Sequence, residues 1–176
     1  MMLHRARWAQ LSIFAALAVF ASACGSSHDK TLSDAELMQK VRGDKVGEVI
    51  EKFKGEKAVL VNVWATFCGP CVKEFPHIVE LRNKYQDDLE VVFISAEFPE
   101  QEPHALKFLR KNEVDWPTYI LEGLDEELIN SLSQEWTGAM PFTIIFDKNG
   151  VMSSQWEDEA DYDTFEAYIK QAINKL

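Results

Sequence analysis

Apolar residues follow two different patterns along this chain. Near-continuous apolar runs at 58–64, 89–95 and 142–146 are typical of strands that are covered on both faces. Between and after them, apolar residues recur every three or four positions, as in helices that bury one side. Strands that alternate with helices predict an α/β layer fold, in which successive parallel strands are joined by helical crossovers.

The remaining elements are shorter. Ser33 and Glu36 fit a capping box, so we expect a first helix with Leu37, Met38 and Val41 on one side. Asn149-Gly150 is a strong hairpin signal before an antiparallel last strand. The other predicted helices are at 46–55, 71–85, 103–111, 125–134 and 161–176, and the other predicted strands are at 118–121 and 151–156.

The first residues are typical of an export signal. Arg5 and Arg7 precede an uncharged apolar stretch, Leu11–Ala23, which is too short to span a membrane. The stretch Ala21-Ser22-Ala23-Cys24 resembles a bacterial lipobox, in which Cys24 is lipidated. We therefore expect a signal peptide at 1–23, a tether at 24–32 and one folded domain at 33–176. An ordinary signal peptide is the alternative.

Composition excludes several classes of protein. The formal net charge of −11 argues against an electrostatic nucleic-acid binder, because phosphates would be repelled. Three cysteines are too few for a disulfide-stapled scaffold. Hydrophobic residues make up 47% of the chain and charged residues 27%, which is a globular balance.

The candidate chemistry is at Cys68-Gly69-Pro70-Cys71, where a buried strand gives way to a helix. A helix N-terminus presents free backbone N–H groups and the positive end of the helix dipole, both of which favour a thiolate. Cys68 is therefore expected to attack a disulfide, and Cys71, one turn later, to resolve the mixed disulfide. Pro70 suits the first helical turn.

Other uses of two closely spaced cysteines must be weighed. A c-type haem site requires histidine directly after the second cysteine, and that residue is Val72. Zinc requires about four ligands, and His77 and His104 have no second cysteine pair near them. A permanently closed structural disulfide is the more serious alternative, although so small a loop stabilises little.

The stretch from Val59 to Pro76 resembles the active-site segment of the TlpA/ResA family of thioredoxin-like oxidoreductases. The likeness extends from about 57 to about 156. It implies a thioredoxin-like fold with a central mixed sheet flanked by helices, and an extra helix inserted at about 98–115. Two positions depart from thioredoxin: Asn62 replaces a buried aspartate, and Phe67 replaces the tryptophan that usually precedes the first cysteine.

The resemblance also implies roles for single residues. Glu74 would join Cys68 and Cys71 in catalysis by raising their pKa and relaying a proton for Cys71; a solvated helix glutamate is the alternative. The Met140–Pro141 bond is expected to be cis and to face the dithiol. The residues expected to contact the substrate are Trp64, Phe67, Gly69, Pro70, Met140 and Pro141.

The family likeness implies an exported, lipid-anchored reductase in the cell envelope, facing the periplasm or the outer side of the membrane. Its clients would be cysteine-containing envelope proteins, such as apocytochrome c or copper-site assembly proteins, and a membrane electron donor would recharge it. We expect no metal and no cofactor beyond the redox-active cysteine pair. The alternatives are a disulfide oxidant or isomerase on the same fold, and a copper-binding thiol module.

Overall fold

The buried apolar runs form the centre of a mixed sheet. The computed structural model describes residues 31–123 and 125–174, and within these residues six strands form one sheet in the order β1-β4-β3-β2-β5-β6. The strands are β1 Met38–Val41, β2 Ala58–Trp64, β3 Leu89–Ser95, β4 Thr118–Leu121, β5 Phe142–Phe146 and β6 Met152–Glu157. The first four strands in this order are parallel to one another. β5 is antiparallel to β2, and β6 is antiparallel to β5, so β6 runs in the direction of the first four.

Helices connect the strands and cover both faces of the sheet. They are α1 Asp34–Leu37, α2 Val46–Glu51, α3 Gly69–Lys84, α4 Glu102–Lys111, α5 Asp125–Leu132 and α6 Tyr162–Ile173, with 3₁₀ turns at Gly43–Lys45 and Pro99–Gln101. The α4 helix, with the turn before it, lies between β3 and β4, where the family likeness predicts an inserted helix.

The core has two halves because every residue of β2 is buried and successive side chains point to opposite faces. Leu60 and Trp64 pack with residues of α3, α4 and α6 on one face. Val61 and Val63 pack with residues of α2 and α5 on the other. The predicted central, doubly covered strand is confirmed, and it ends directly before the cysteine pair.

The first predicted helix is wrong beyond Leu37. The capping box of Ser33 and Glu36 is present, but α1 ends at Leu37 and Met38–Val41 form β1. This segment pairs in parallel with β4, with Met38 opposite Thr118. Met38 and Val41 are buried and the two residues between them are exposed. The pairing with β4 provides hydrogen-bond partners along one side of this edge strand, so tertiary contacts override the local helical spacing.

The other predicted elements are confirmed, with ends that differ by a few residues. β2, β3, β4 and β5 have the predicted bounds. The hairpin turn forms after β5: Asp147 accepts backbone N–H bonds from Asn149 and Val151 through its carboxylate. Gly150 has a φ of +78°, which glycine adopts without the steric cost of a Cβ.

The predicted signal peptide, the lipidated Cys24 and most of the tether lie outside the described residues. They remain predictions. Among the helices of residues 31–123 and 125–174, none combines the length and the apolar character needed to cross a membrane.

Candidate active site

The two cysteines lie at the start of α3, at the edge of the sheet where β2 ends. Cys68 is the N-cap residue, and its Sγ accepts a hydrogen bond of 3.3 Å from the backbone N–H of Cys71. The two residues form a disulfide, with their Cα atoms 5.3 Å apart. Cys68 is partly exposed, whereas Cys71 is fully buried. An incoming sulfur atom therefore reaches Cys68 first, as the predicted roles require.

The Met140–Pro141 peptide lies at the same edge of the sheet. β2 and β5 are antiparallel, and Val63 is opposite Phe142, so the residues before β5 lie beside the end of β2. The peptide bond is cis, as the family likeness predicts. Pro141 is buried and Met140 is partly exposed. The topology thus brings the cysteine loop and this proline loop together.

Glu74 is buried in the first part of α3, three residues after Cys71, with 1% of its surface exposed. Its Oε1 accepts a hydrogen bond of 2.8 Å from the side-chain amide of Asn62, and its Oε2 accepts one of 3.0 Å from the backbone N–H of Ala160. The same Asn62 amide donates to the Thr143 hydroxyl at 3.0 Å. The alternative of a solvated helix glutamate is therefore wrong.

The surroundings of Glu74 favour its neutral form. Burial is the largest influence and raises the pKa of Glu74 from 4.5 to about 7. The hydrogen bonds from Ala160 and Asn62 lower this pKa, and the charge of Glu159 raises it. A carboxyl group with a pKa near neutrality exchanges a proton readily at neutral pH. Glu74 lies three residues after Cys71, on the same side of α3.

The residues expected to contact the substrate differ in how exposed they are. Gly69 and Pro70 are exposed, and Phe67 is 53% exposed and stacks on Phe98 with ring centroids 6.0 Å apart. Trp64 is fully buried, and its ring lies 4.8 Å from that of Phe75. At that depth Trp64 packs behind the site and does not offer a surface to a client.

The sequence patterns do not single out Glu97, which the structure brings to the same edge. Its side chain is 4% exposed, and its Oε1 accepts a hydrogen bond of 2.5 Å from the backbone N–H of Thr66, two residues before Cys68. The available signal was its position two residues after β3. Ligands of open α/β sheets bind at the carboxyl ends of such strands.

The groups that the structure brings together at this edge of the sheet are two sulfurs and a carboxyl group. Within 31–123 and 125–174, no group of three or more histidine, cysteine, aspartate or glutamate side chains is arranged to hold a metal ion. The arrangement consists of an accessible sulfur at a helix N-terminus, a buried sulfur behind it and a carboxyl group poised to exchange a proton. Two such sulfurs can exchange two electrons with another disulfide or dithiol, and the carboxyl group can transfer the proton that accompanies this exchange.

Comparison with known proteins agrees with this chemistry. The profile of the Redoxin family matches residues 15–167. The chain is 30% identical over 123 residues to the thiol-disulfide oxidoreductase ResA of Bacillus cereus, which covers 69% of this chain and 66% of that relative. It is 29% identical over 150 residues to ResA of Halalkalibacterium halodurans, covering 81% of each. The match with the first relative thus spans just under two thirds of that protein's length.

Solved structures share the fold. A thiol:disulfide interchange protein of the thioredoxin family from Chlorobium tepidum superposes with a TM-score of 0.61 at 24% identity, covering 71% of this chain and 85% of that one. A DsbF homologue from Corynebacterium diphtheriae gives a TM-score of 0.61 at 21% identity, covering 69% and 74%. The predicted thioredoxin-like architecture is therefore confirmed.

Proposed function

The chain belongs to the Redoxin family as a ResA-like protein with the thioredoxin fold, and on this premise we propose that it is an exported thiol-disulfide oxidoreductase that reduces disulfides in envelope proteins. The observation that carries the proposal is the position of Cys68 and Cys71. Cys68 is reachable at the N-terminus of α3, and Cys71 is buried behind it on the same helix as Glu74.

The proposed reaction transfers two electrons and two protons to the client. The Cys68 thiolate attacks one sulfur of a client disulfide; that S–S bond breaks, and the leaving sulfur takes up a proton. Cys71 then attacks the Cys68 sulfur in the mixed disulfide and releases the second client sulfur, which is also protonated. The chain is left with the Cys68–Cys71 disulfide.

Glu74 serves the second step in this scheme. Cys71 is buried, so its proton has no direct route to water, and a carboxylate on the same side of the helix can accept it. In the reverse direction the protonated Glu74 returns a proton to Cys71 when the disulfide is reduced. Before reaction, a charged Glu74 disfavours a second negative charge nearby and so raises the pKa of the cysteines.

The direction of electron transfer determines which partners the protein needs. The clients are cysteine-containing envelope proteins, with apocytochrome c and copper-site assembly proteins as the classes that the family likeness suggests. Each turnover oxidises the pair, so a donor of two electrons at the membrane must reduce it again. Lipidation at Cys24 would hold the domain close to that donor; the intact mass of the mature protein and cell fractionation test this part of the proposal.

The activity is tested by reduction of insulin, with a chemical dithiol to recycle the protein. We expect the natural chain to accelerate the reaction, Cys68→Ser to be inactive, and Cys71→Ser to stop at a mixed disulfide that mass spectrometry detects. Glu80→Gln, an exposed change on α3, serves as a control that retains activity. Equal rates for the natural chain and Cys68→Ser would refute the proposal.

A further inference from the structure

A cavity of about 450 Å³ opens beside the cysteine loop. Its walls include Phe67, which precedes Cys68, and Met140, which precedes Pro141. We call it the Phe67–Met140 cavity. Its volume lies within the ~300–1,000 Å³ that is usual for ligand pockets. A client whose cysteine meets Cys68 would therefore bring neighbouring residues to this cavity.

The walls of the Phe67–Met140 cavity are largely apolar, and contacts with neighbouring residues hold their aromatic side chains in place. Trp136 is 6% exposed, stacks on Phe142 with ring centroids 4.5 Å apart, and donates its indole N–H to the carbonyl of Ala139 at 2.8 Å. Phe67 is paired with Phe98, another wall residue, and the two rings are 53% and 64% exposed. Such walls suit the aliphatic part of a side chain.

Glu97 is a wall residue that is both charged and buried. Its side chain is 4% exposed, and its Oε1 is occupied by the backbone N–H of Thr66. Its Oε2 is buried and has no hydrogen-bond partner among the residues that the structure describes. A buried carboxylate oxygen without a donor is costly in free energy. A ligand that brings a donor or a positive charge would remove this cost.

The other charges on the walls do not offset Glu97. In the described part of the chain, the remaining charged wall residues are Glu102, Glu122 and Lys40. Lys40 and Glu122 are exposed and form an ion pair at 3.8 Å. The cavity is therefore acidic overall. An anionic side chain would be repelled, and a purely apolar one would leave the Glu97 oxygen without a partner.

We propose that the Phe67–Met140 cavity is a subsite for a lysine or arginine side chain close to the target cysteine of the client. Such a side chain lays its apolar stem along the aromatic walls and places its cationic end on Glu97. The proposal rests on the proposed function and names the class of client: cysteine segments that carry a basic residue.

The experiment uses disulfide-linked peptides that differ at one residue. Each peptide carries either lysine or norleucine at the position directly before or directly after the cysteine. Norleucine shares the aliphatic stem of lysine but has no charge. We expect the natural chain to show a kcat/KM at least about tenfold higher for lysine at one of these positions, a factor equivalent to ~1.4 kcal/mol. This preference should persist at high salt, because a buried ion pair is screened less than surface attraction.

Three variants test whether the preference for lysine depends on the charge of Glu97 in the cavity. Glu97→Gln keeps the shape and the acceptor for the Thr66 N–H, and we expect it to reduce the lysine-to-norleucine ratio to near one. Glu80→Gln removes one negative charge from the exposed side of α3 and should keep the ratio of the natural chain. Glu97→Asp, which retains the charge, should keep a preference for lysine.

The results that would contradict the subsite differ from the result that would contradict the proposed function. Equal rates for lysine and norleucine at every position, or a preference that disappears at high salt, would overturn the subsite with the natural chain alone, even if Glu97→Gln does not fold. A preference that survives in folded Glu97→Gln would overturn it as well. Failure of the natural chain to reduce any of the peptides would instead refute the proposed function.

Discussion

The side-chain amide of Asn62 donates a hydrogen bond of 2.8 Å to Glu74, linking the central strand β2 to the helix that carries both cysteines. Asn62 is 1% exposed and Glu74 is 1% exposed, so water contributes little to this contact. In such surroundings a hydrogen bond to a carboxylate strongly favours the ionised form. Asn62 therefore opposes the effect of burial, which is the largest influence on the pKa of Glu74.

Replacing Glu74 should slow the second chemical step more than the first. In Glu74→Gln no carboxylate accepts the Cys71 proton, so we expect the mixed disulfide between Cys68 and the client to accumulate. The rate of resolution should fall by roughly 10²–10⁴-fold, the usual contribution of a general base. Rapid quenching followed by mass spectrometry measures the mixed disulfide. Unchanged resolution in the variant would exclude a proton-transfer role.

The same residue should make folding stability depend on pH. The pKa of Glu74 is raised to about 7 in the folded protein by burial, from an ordinary value of 4.5. Between these two values the folded chain retains a proton that the unfolded chain has released, so the free energy of unfolding must fall as pH rises. We expect a loss of roughly 3 kcal/mol across this window.

Urea denaturation at a series of pH values measures this loss. Glu74→Gln should unfold with a much smaller change over the same range, because a glutamine does not titrate. Parallel pH profiles for the natural chain and the variant would show that Glu74 does not hold a raised pKa.

Removing the Asn62 amide should raise the pKa of Glu74 further. Asn62→Ala deletes one of the two hydrogen bonds that stabilise the carboxylate, so the pH at which resolution reaches half its maximal rate should increase by roughly one unit. Thr143→Val is the matched control, since it removes only the other acceptor of the Asn62 amide. Similar shifts in both variants, or none in Asn62→Ala, would argue against the Asn62–Glu74 relationship.

Much of the site was predictable because its signals are local. The apolar run of β2, the Cys68–Cys71 spacing and the Met140–Pro141 step are each contained in a few consecutive residues. β1 was mispredicted because Leu37, Met38 and Val41 fit a helical turn as well as a strand, and only pairing with β4 decides between them. The sequence does not reveal Glu97, because its hydrogen-bond partner, the backbone N–H of Thr66, is 31 positions away in the sequence.

Alanine substitutions at two glycines near the β1 edge of the sheet should have opposite effects on folding stability. A Cβ at Gly43 would lie 2.3 Å from the backbone nitrogen of Leu128, so the turn and α5 would have to move apart. We expect Gly43→Ala to cost roughly 1–3 kcal/mol. A Cβ at Gly47, within α2, meets nothing within 4 Å, so Gly47→Ala should stabilise by roughly 0.4–1 kcal/mol. Urea denaturation of both variants tests the pair, and equal effects would contradict the packing described at Gly43.

The central claim is that Cys68 and Cys71 form a reducing pair, and a redox titration tests it most directly. The purified domain is equilibrated with graded mixtures of reduced and oxidised dithiol, and the free thiols are quantified by alkylation. We predict a reduction potential near the ~−270 mV of thioredoxin. A potential near the ~−120 mV of DsbA would indicate an oxidant instead. A disulfide that no dithiol opens would contradict the redox role altogether.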